Sequence, residues 1–121
     1  MPTHEQIVEA IKTYCRTETE KDRAGWLALF AETVVHEDPV GVGVVRKGLE
    51  GVAQLWEMIA AGDVKLWLTS DVIVCGNEAI AMMACETGPA DKRRRTAPII
   101  DHFVFDKAGR IASLRAFYKY A

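Results

Sequence analysis

Apolar positions recur at helical spacing through the first sixty residues and then change to strand-like alternation. Thr3 followed by Gln6 is a capping-box signature, and Ile7, Ile11, Tyr14 and Cys15 fall on one face of the helix it opens. The polar run 16–22 ends that helix, and Asp22 is placed to cap a second one carrying Trp26, Leu29 and Phe30. A short strand over 33–38 stops at Pro39, and 39–45, with Gly41 and Gly43, reads as a loop. A third helix starts near Gly48 and buries Val52, Leu55, Trp56 and Ile59 at i, i+3, i+4 and i+7.

From Val64 onward the period is two. Val64, Leu66 and Leu68 alternate with Lys65, Trp67 and Thr69, and the runs 71–75 and 78–86 flank a Gly76-Asn77 hairpin turn. After a turn over 88–92 comes a long strand, 93–105, expected to kink or bulge at Pro98 because proline cannot donate to a ladder. Residues 106–109 make the last turn and 110–120 the last strand, closing a four-stranded antiparallel meander. Helices segregated from hairpins predict an α+β fold, with three N-terminal helices packed on the concave face of a curved, mainly antiparallel sheet. Residues 1–121 read as a single domain without repeats or linkers.

Half of the 121 residues are hydrophobic and 26% charged, enough for a core without metal or disulfide support. A net charge of −2 argues against general affinity for nucleic acid or an anionic membrane surface. No apolar stretch approaches the roughly 18 residues of a membrane span. The N-terminus reads as a capped helix rather than a signal peptide, so a cytoplasmic protein is expected. Cys15, Cys75 and Cys85 lack C-x-x-C spacing and read as reduced thiols. The three histidines are scattered, and no metal or organic cofactor is expected.

Two aspartates interrupt apolar runs: Asp38 in VVHEDPVG and Asp101 in APIIDHFVF. Aspartate is depleted in strands, and a carboxylate in an apolar wall has its pKa pushed upward, which brings acid and base chemistry toward neutral pH. Each has a structural alternative: Asp38 precedes proline and can start a turn, and Asp101 can cap a bulge at Pro98. Strand parity sets Asp101 with Ile99, Phe103 and Phe105 on one face, and His102 with Ile100 and Val104 on the other. Leu114, Ala116 and Tyr118 are the more apolar set of the last strand and are expected to face Asp101. Tyr14 lies on the buried stripe of the first helix as core or as an inward hydroxyl, and His36 shares parity with Asp38. Lys92 to Arg95 read as a charged strand end that discourages edge pairing, and Met82 and Met83 as core filling.

At 37–41 and 97–118 the chain resembles Δ5-3-ketosteroid isomerases and SnoaL-like members of the NTF2-like superfamily, and the separations of Tyr14, Asp38 and Asp101 agree. The resemblance covers most of the length and is weakest between about 60 and 95. It implies a cone-shaped NTF2-like fold and a cofactor-free isomerase that moves a β,γ double bond of a steroid-like ketone into conjugation. In that family's chemistry Asp38 corresponds to the general base, and Tyr14 and a protonated Asp101 to the donors of an oxyanion hole. Phe30, His36, Trp56, Phe103, Leu114, Ala116 and Tyr118 are the expected substrate contacts. Phe30 and Trp56 stand where some members have tyrosines supporting the oxyanion-hole tyrosine. A homodimer through the sheet is implied, since alternate apolar residues such as Ile100 and Val104 fall on the exposed face. A SnoaL-like polyketide cyclase or lyase, and a non-catalytic binder of small apolar ligands, are the other readings that this superfamily holds open.

Overall fold

The computed structural model describes residues 1–42 and 44–120; Gly43, expected in the loop after Pro39, lies outside them. The first helix, α1 (His4–Glu20), opens on the expected capping box: the Thr3 hydroxyl accepts from the Gln6 N–H at 3.1 Å, and the Gln6 side chain accepts from the Thr3 N–H at 2.8 Å. The polar run does not end it at residue 16. Thr17 and Glu18 extend the buried stripe of Ile7, Ile11, Tyr14 and Cys15 by another turn, and Lys21 stops the helix in the left-handed conformation.

The next helix, α2 (Arg23–Leu27), is a short turn whose Gly25 N–H is capped by Asp22 at 3.0 Å. Leu29 and Phe30 are not on it. Phe30 begins β1 (Phe30–Glu37), three residues earlier than expected, because it pairs with Ile111, whose N–H reaches the Leu29 carbonyl at 2.8 Å. The segment after Pro39 is not all loop either. Val45 starts β2 (Val45–Lys47), which returns antiparallel to β1 and leads into α3 (Gly48–Ala61). The remaining strands are β3 (Lys65–Leu68), β4 (Ile73–Cys75), β5 (Glu78–Thr87), β6 (Arg94–Phe105) and β7 (Ile111–Phe117).

These strands form one sheet in the order β2-β1-β7-β6-β5-β3, with β4 also pairing β5. The meander is therefore larger than four strands, and β1 joins it in parallel beside β7. β3 and β4 share one edge of β5, taking its two halves in turn. β6 carries one extra residue around Pro98: Met83 faces Ile99, but Cys85 faces Thr96. The missing proline donor is thus absorbed by a bulge, as expected. β7 stops at Phe117 rather than at 120, which leaves Tyr118 beyond the ladder.

The three helices cover the inner sheet face, where Ala79, Ala81, Met83, Ile99, Phe103, Phe105, Ile111 and Leu114 are buried. Met83 fills the core, whereas Met82 points outward and is 39% exposed, since strand parity separates the pair. Thr19 pins the last turn of α1 to β3, accepting from the Leu66 N–H at 2.9 Å and donating to the Leu66 carbonyl at 3.0 Å. All three cysteines are free. Among the described residues, no helix is long and apolar enough to cross a membrane.

The basic run has a sharper structural role than a charged strand end. Arg93 donates to the carbonyls of Asp63 and Glu86, each at 2.9 Å, and to that of Gly88, locking the α3–β3 connection onto the β5–β6 turn. Bonds from a charged donor contribute more than neutral ones. Arg93→Ala is expected to lower unfolding free energy by about 2–3 kcal/mol in urea titration, whereas exposed Arg94→Ala stays within about 0.5 kcal/mol of the parent.

Candidate functional site

A cavity of about 240 Å³ lies between α1, α3 and the inner face of the sheet. Its polar wall is Tyr14, Glu18, Asp38, Asp101 and Tyr118, and Leu55, Ile59, Leu66, Ile99 and Ala116 supply much of the apolar surface. The register explains the arrangement. Across the sheet Asp101 is flanked by Ala81 on β5 and Ala116 on β7. Two methyl groups leave the carboxyl uncovered where larger neighbours would bury it under packing.

Asp38 arrives from the other direction. The parallel register of His36 with Leu114 and Glu37 with Arg115 continues to put Asp38 beside Ala116. The loop is fastened there by the Val40 N–H, which donates to the Ala116 carbonyl at 2.9 Å. Asp38 and Asp101 therefore stand on either side of one alanine, two strand spacings or roughly 10 Å apart along the sheet. Tyr118, just past β7, donates its hydroxyl to Asp38 Oδ1 at 2.7 Å, and among the described residues the other oxygen has no hydrogen-bond partner.

Tyr14 enters from α1, its ring held by stacking on Trp26 at 6.1 Å and by edge contacts with Phe103 at 5.6 Å and Phe30 at 6.4 Å. One helical turn later Glu18 accepts a hydrogen bond from Trp26 Nε1 at 3.2 Å. Asp101 Oδ1 is buried without a partner.

These groups perturb one another. Burial pushes the Asp101 carboxyl well above the usual carboxylate range, and the Asp38 and Glu18 charges push it the same way. Burial, followed by the Glu18 and Asp101 charges, likewise raises the Tyr14 hydroxyl. Tyr118 is raised by burial and by its bond to Asp38. Glu18 is pushed up to about 8, chiefly by burial, with the Trp26 N–H opposing. The cavity thus presents one hydrogen-bonded acceptor, Asp38, facing a set of groups held in their protonated forms. It can move a proton at one place and donate hydrogen bonds at another.

The residues expected at the site divide into two layers. Tyr14, Asp38, Asp101, Ala116 and Tyr118 converge on the cavity. Phe30, His36, Trp56, Phe103 and Leu114 face inward as parity requires but lie behind the wall, at the closed end where helices and sheet touch. Phe30 and Phe103 are the seat of the Tyr14 ring, and Trp56 packs on Trp26 at 5.1 Å. His36 is buried near Phe30 with neither ring nitrogen partnered, and burial lowers its pKa to about 4. Glu18 was hidden from sequence reasoning in a run of charges, although it continues the stripe one turn beyond Tyr14. Among the described residues, no group of three or more His, Cys, Asp or Glu side chains could hold a metal ion.

The SnoaL-like domain family matches residues 11–114. The chain belongs to that family. It is 29% identical to a steroid Δ-isomerase of Nocardioides simplex over 93% of this chain and 89% of that one. Among solved structures it is similar to SalBIII, an epoxide hydrolase/cyclase-like enzyme in pyran ring formation of the polyether salinomycin, with TM-score 0.88 and 23% identity over 98% and 95% of the two chains. A Mycobacterium tuberculosis protein in complex with estradiol-17β-hemisuccinate superposes with TM-score 0.84 at 24% identity, over 94% of each chain. A computationally designed binder of 17-OHP superposes with TM-score 0.83 at 27% identity, over 94% of this chain and 91% of that one. The helices on a curved mixed sheet are therefore the NTF2-like architecture that the resemblance implied.

A folded-state carboxyl raised from 4.5 to about 8 favours folding fully below pH 4.5, and that contribution is lost as pH rises through 8. His36 acts oppositely: its depressed pKa gives a contribution present above 6.5 and lost as pH falls through about 4. Between pH 6.5 and 8 the buried Asp101 carboxyl contributes in the same direction, so the Glu18 share is read as the difference between wild type and a variant that cannot ionise at residue 18. Urea titrations are expected to show wild type losing about 2 kcal/mol more than Glu18→Gln over that interval.

Proposed function

We propose that this chain is a cofactor-independent isomerase that shifts a β,γ double bond of a steroid-like ketone into conjugation, converting a 3-oxo-Δ5 to a 3-oxo-Δ4 steroid. The observation that carries this reading is the Asp38–Ala116–Asp101 row, an acceptor carboxylate and a buried, partnerless carboxyl facing one apolar cavity with the Tyr14 hydroxyl. Asp38 takes the proton from the carbon between ketone and alkene, and the electrons move onto the ketone oxygen as a dienolate. Tyr14 and protonated Asp101 donate to that oxygen as its charge develops. Asp38 then returns the same proton two carbons further along, so the product is an isomer and nothing is consumed. Tyr118 holds Asp38 through one oxygen and keeps the other free to reach both carbons.

The cavity volume of about 240 Å³ falls below the roughly 300–1,000 Å³ of sites that enclose drug-sized ligands. The ketone end of a steroid would sit inside and the rest would extend through the mouth. The likeness to the Nocardioides steroid Δ-isomerase supports the substrate class.

With 5-androstene-3,17-dione, wild type is expected to produce the absorbance of a conjugated enone. Asp38→Asn should reduce kcat by about 10²–10⁴-fold, and Asp101→Ala or Tyr14→Phe by about 10²–10³-fold. No turnover by pure, folded wild type would sink this reading and favour the SnoaL-like cyclase or lyase, or the ligand-binding module, on the same cavity.

The outer sheet face supports a homodimer. Met82, Ile100 and Phe117 stand in one cross-strand row, with Ile80 and Ile73 in the next. Met82 and Phe117 are about two-fifths exposed, a contiguous apolar strip of the kind that marks association surfaces. Sedimentation should give a dimer for wild type and a monomer for Met82→Lys/Phe117→Lys; a wild-type monomer at micromolar concentration would refute the assembly.

A further inference from the structure

Glu18 is a buried carboxyl in the cavity wall that the proton-transfer scheme does not use. It follows Tyr14 by four residues on α1, the spacing that stacks two side chains on one helix face. Both are nearly sealed from solvent, with Glu18 5% and Tyr14 4% exposed. Trp26 joins them, stacking its ring on that of Tyr14 and donating Nε1–H to Glu18 Oε1. With Oε1 accepting from the indole, a proton on this carboxyl belongs on Oε2. The Glu18 charge raises the Tyr14 hydroxyl and the Tyr14 hydroxyl opposes the raised Glu18 pKa, so the two groups act on each other across one helical turn.

We propose that Glu18 is a positioning residue for Tyr14: as a neutral acid held by Trp26, it donates to the Tyr14 oxygen and so directs the phenolic proton at the substrate oxygen. Successive donors polarise one another, so the chain makes Tyr14 a stronger donor than it is alone. Ionised Glu18 reverses the direction, since a carboxylate only accepts and draws the phenolic proton away from the ligand. The other groups around it are Tyr14 and Cys15 on α1, Asp38 after β1, Cys85 on β5, Asp101 on β6 and Tyr118 after β7. Of these, the Asp38 charge opposes a second negative charge at Glu18, whereas the Tyr14 hydroxyl favours it. The α3 and β3 residues on the cavity wall, Leu55, Ile59 and Leu66, are apolar.

This inference rests on the isomerase reading, and the experiment separates the two. The rate of enone formation is measured from pH 5.5 to 9.5 for wild type, Glu18→Gln, Glu18→Leu and Trp26→Phe, with circular dichroism to verify folding. Wild type should lose activity with a basic limb near 8. Glu18→Gln, whose amide can donate to Tyr14 but cannot ionise, should keep at least a third of the pH 6 rate and move the limb upward by a unit or more. Glu18→Leu should lose about 10-fold in kcat at pH 6 with little change in KM. Trp26→Phe removes the bond that lowers the Glu18 pKa and should also move the limb upward, which serves if Glu18→Gln does not fold. Inactive wild type overturns the isomerase reading. Active wild type whose limb is unmoved in both Glu18→Gln and Trp26→Phe overturns the role of Glu18 alone.

Discussion

The parallel pairing of β1 with β7 is the constraint on which the rest of the site depends. Every other strand pair is antiparallel and joins elements that are close in sequence or return as hairpins. The β1–β7 pair brings together two segments from opposite ends of the chain. Its register sets His36 beside Leu114 and Glu37 beside Arg115, and the Val40 N–H carries the alignment past the end of β1 onto the Ala116 carbonyl. A slip of one residue would turn Asp38 to the outer face and His36 with it. The Arg115–Glu37 bond at 3.2 Å on the outer face reinforces the same register from the other side. The loop after β1 is thereby tied to the strand that already faces Asp101.

Once that register is fixed, burial decides the protonation states. Asp101 and Glu18 share one small cavity with Asp38, and burial raises the carboxyls of Asp101 and Glu18. Asp38 sits at a loop and accepts a hydrogen bond from Tyr118. Nothing relieves Asp101 Oδ1, flanked by two alanines on the sheet and without a partner. The two aspartates therefore differ in neighbourhood rather than in residue type. Trp26 ties the second layer to the first: it packs on Phe30 and Trp56, stacks on Tyr14 and donates to Glu18. Filling those positions with rings rather than polar side chains leaves Tyr14 only one nearby carboxyl on its own helix.

Periodicity made the helices and the inward face of β6 and β7 legible, because a two-residue repeat with one apolar parity has only one sensible burial. Asp101, Ala116 and Tyr118 were found that way. The parallel insertion of β1 was not legible, since its partner is some eighty residues away and no local pattern encodes the pairing. β2 was missed because three residues with glycines before them look like loop. Phe30 was misassigned to a helix because Trp26, Leu29 and Phe30 have helical spacing, and only the Ile111 pairing overrides it. Glu18 was missed for a different reason: a charged residue among charged residues carries no signal until its helix face is known. Parity put His36, Phe103 and Leu114 inward correctly, but parity cannot say whether an inward residue meets a cavity or packed core.

That last distinction separates a packed closed end from the open mouth of the cavity. The closed end is packed with Phe30, Trp26, Trp56 and Phe103 and can yield little without collapsing the seat of Tyr14. The half-exposed wall residues, Ile59, Val64, Thr87 and Thr96, come from the end of α3, the start of β3 and the bulged region of β5 and β6. Thr87 and Thr96 belong to the β5–β6 ladder, opposite Arg94 and Cys85, next to a turn held by Arg93. Substitution there would reshape the mouth of the cavity while Asp38, Asp101 and Tyr14 keep their places.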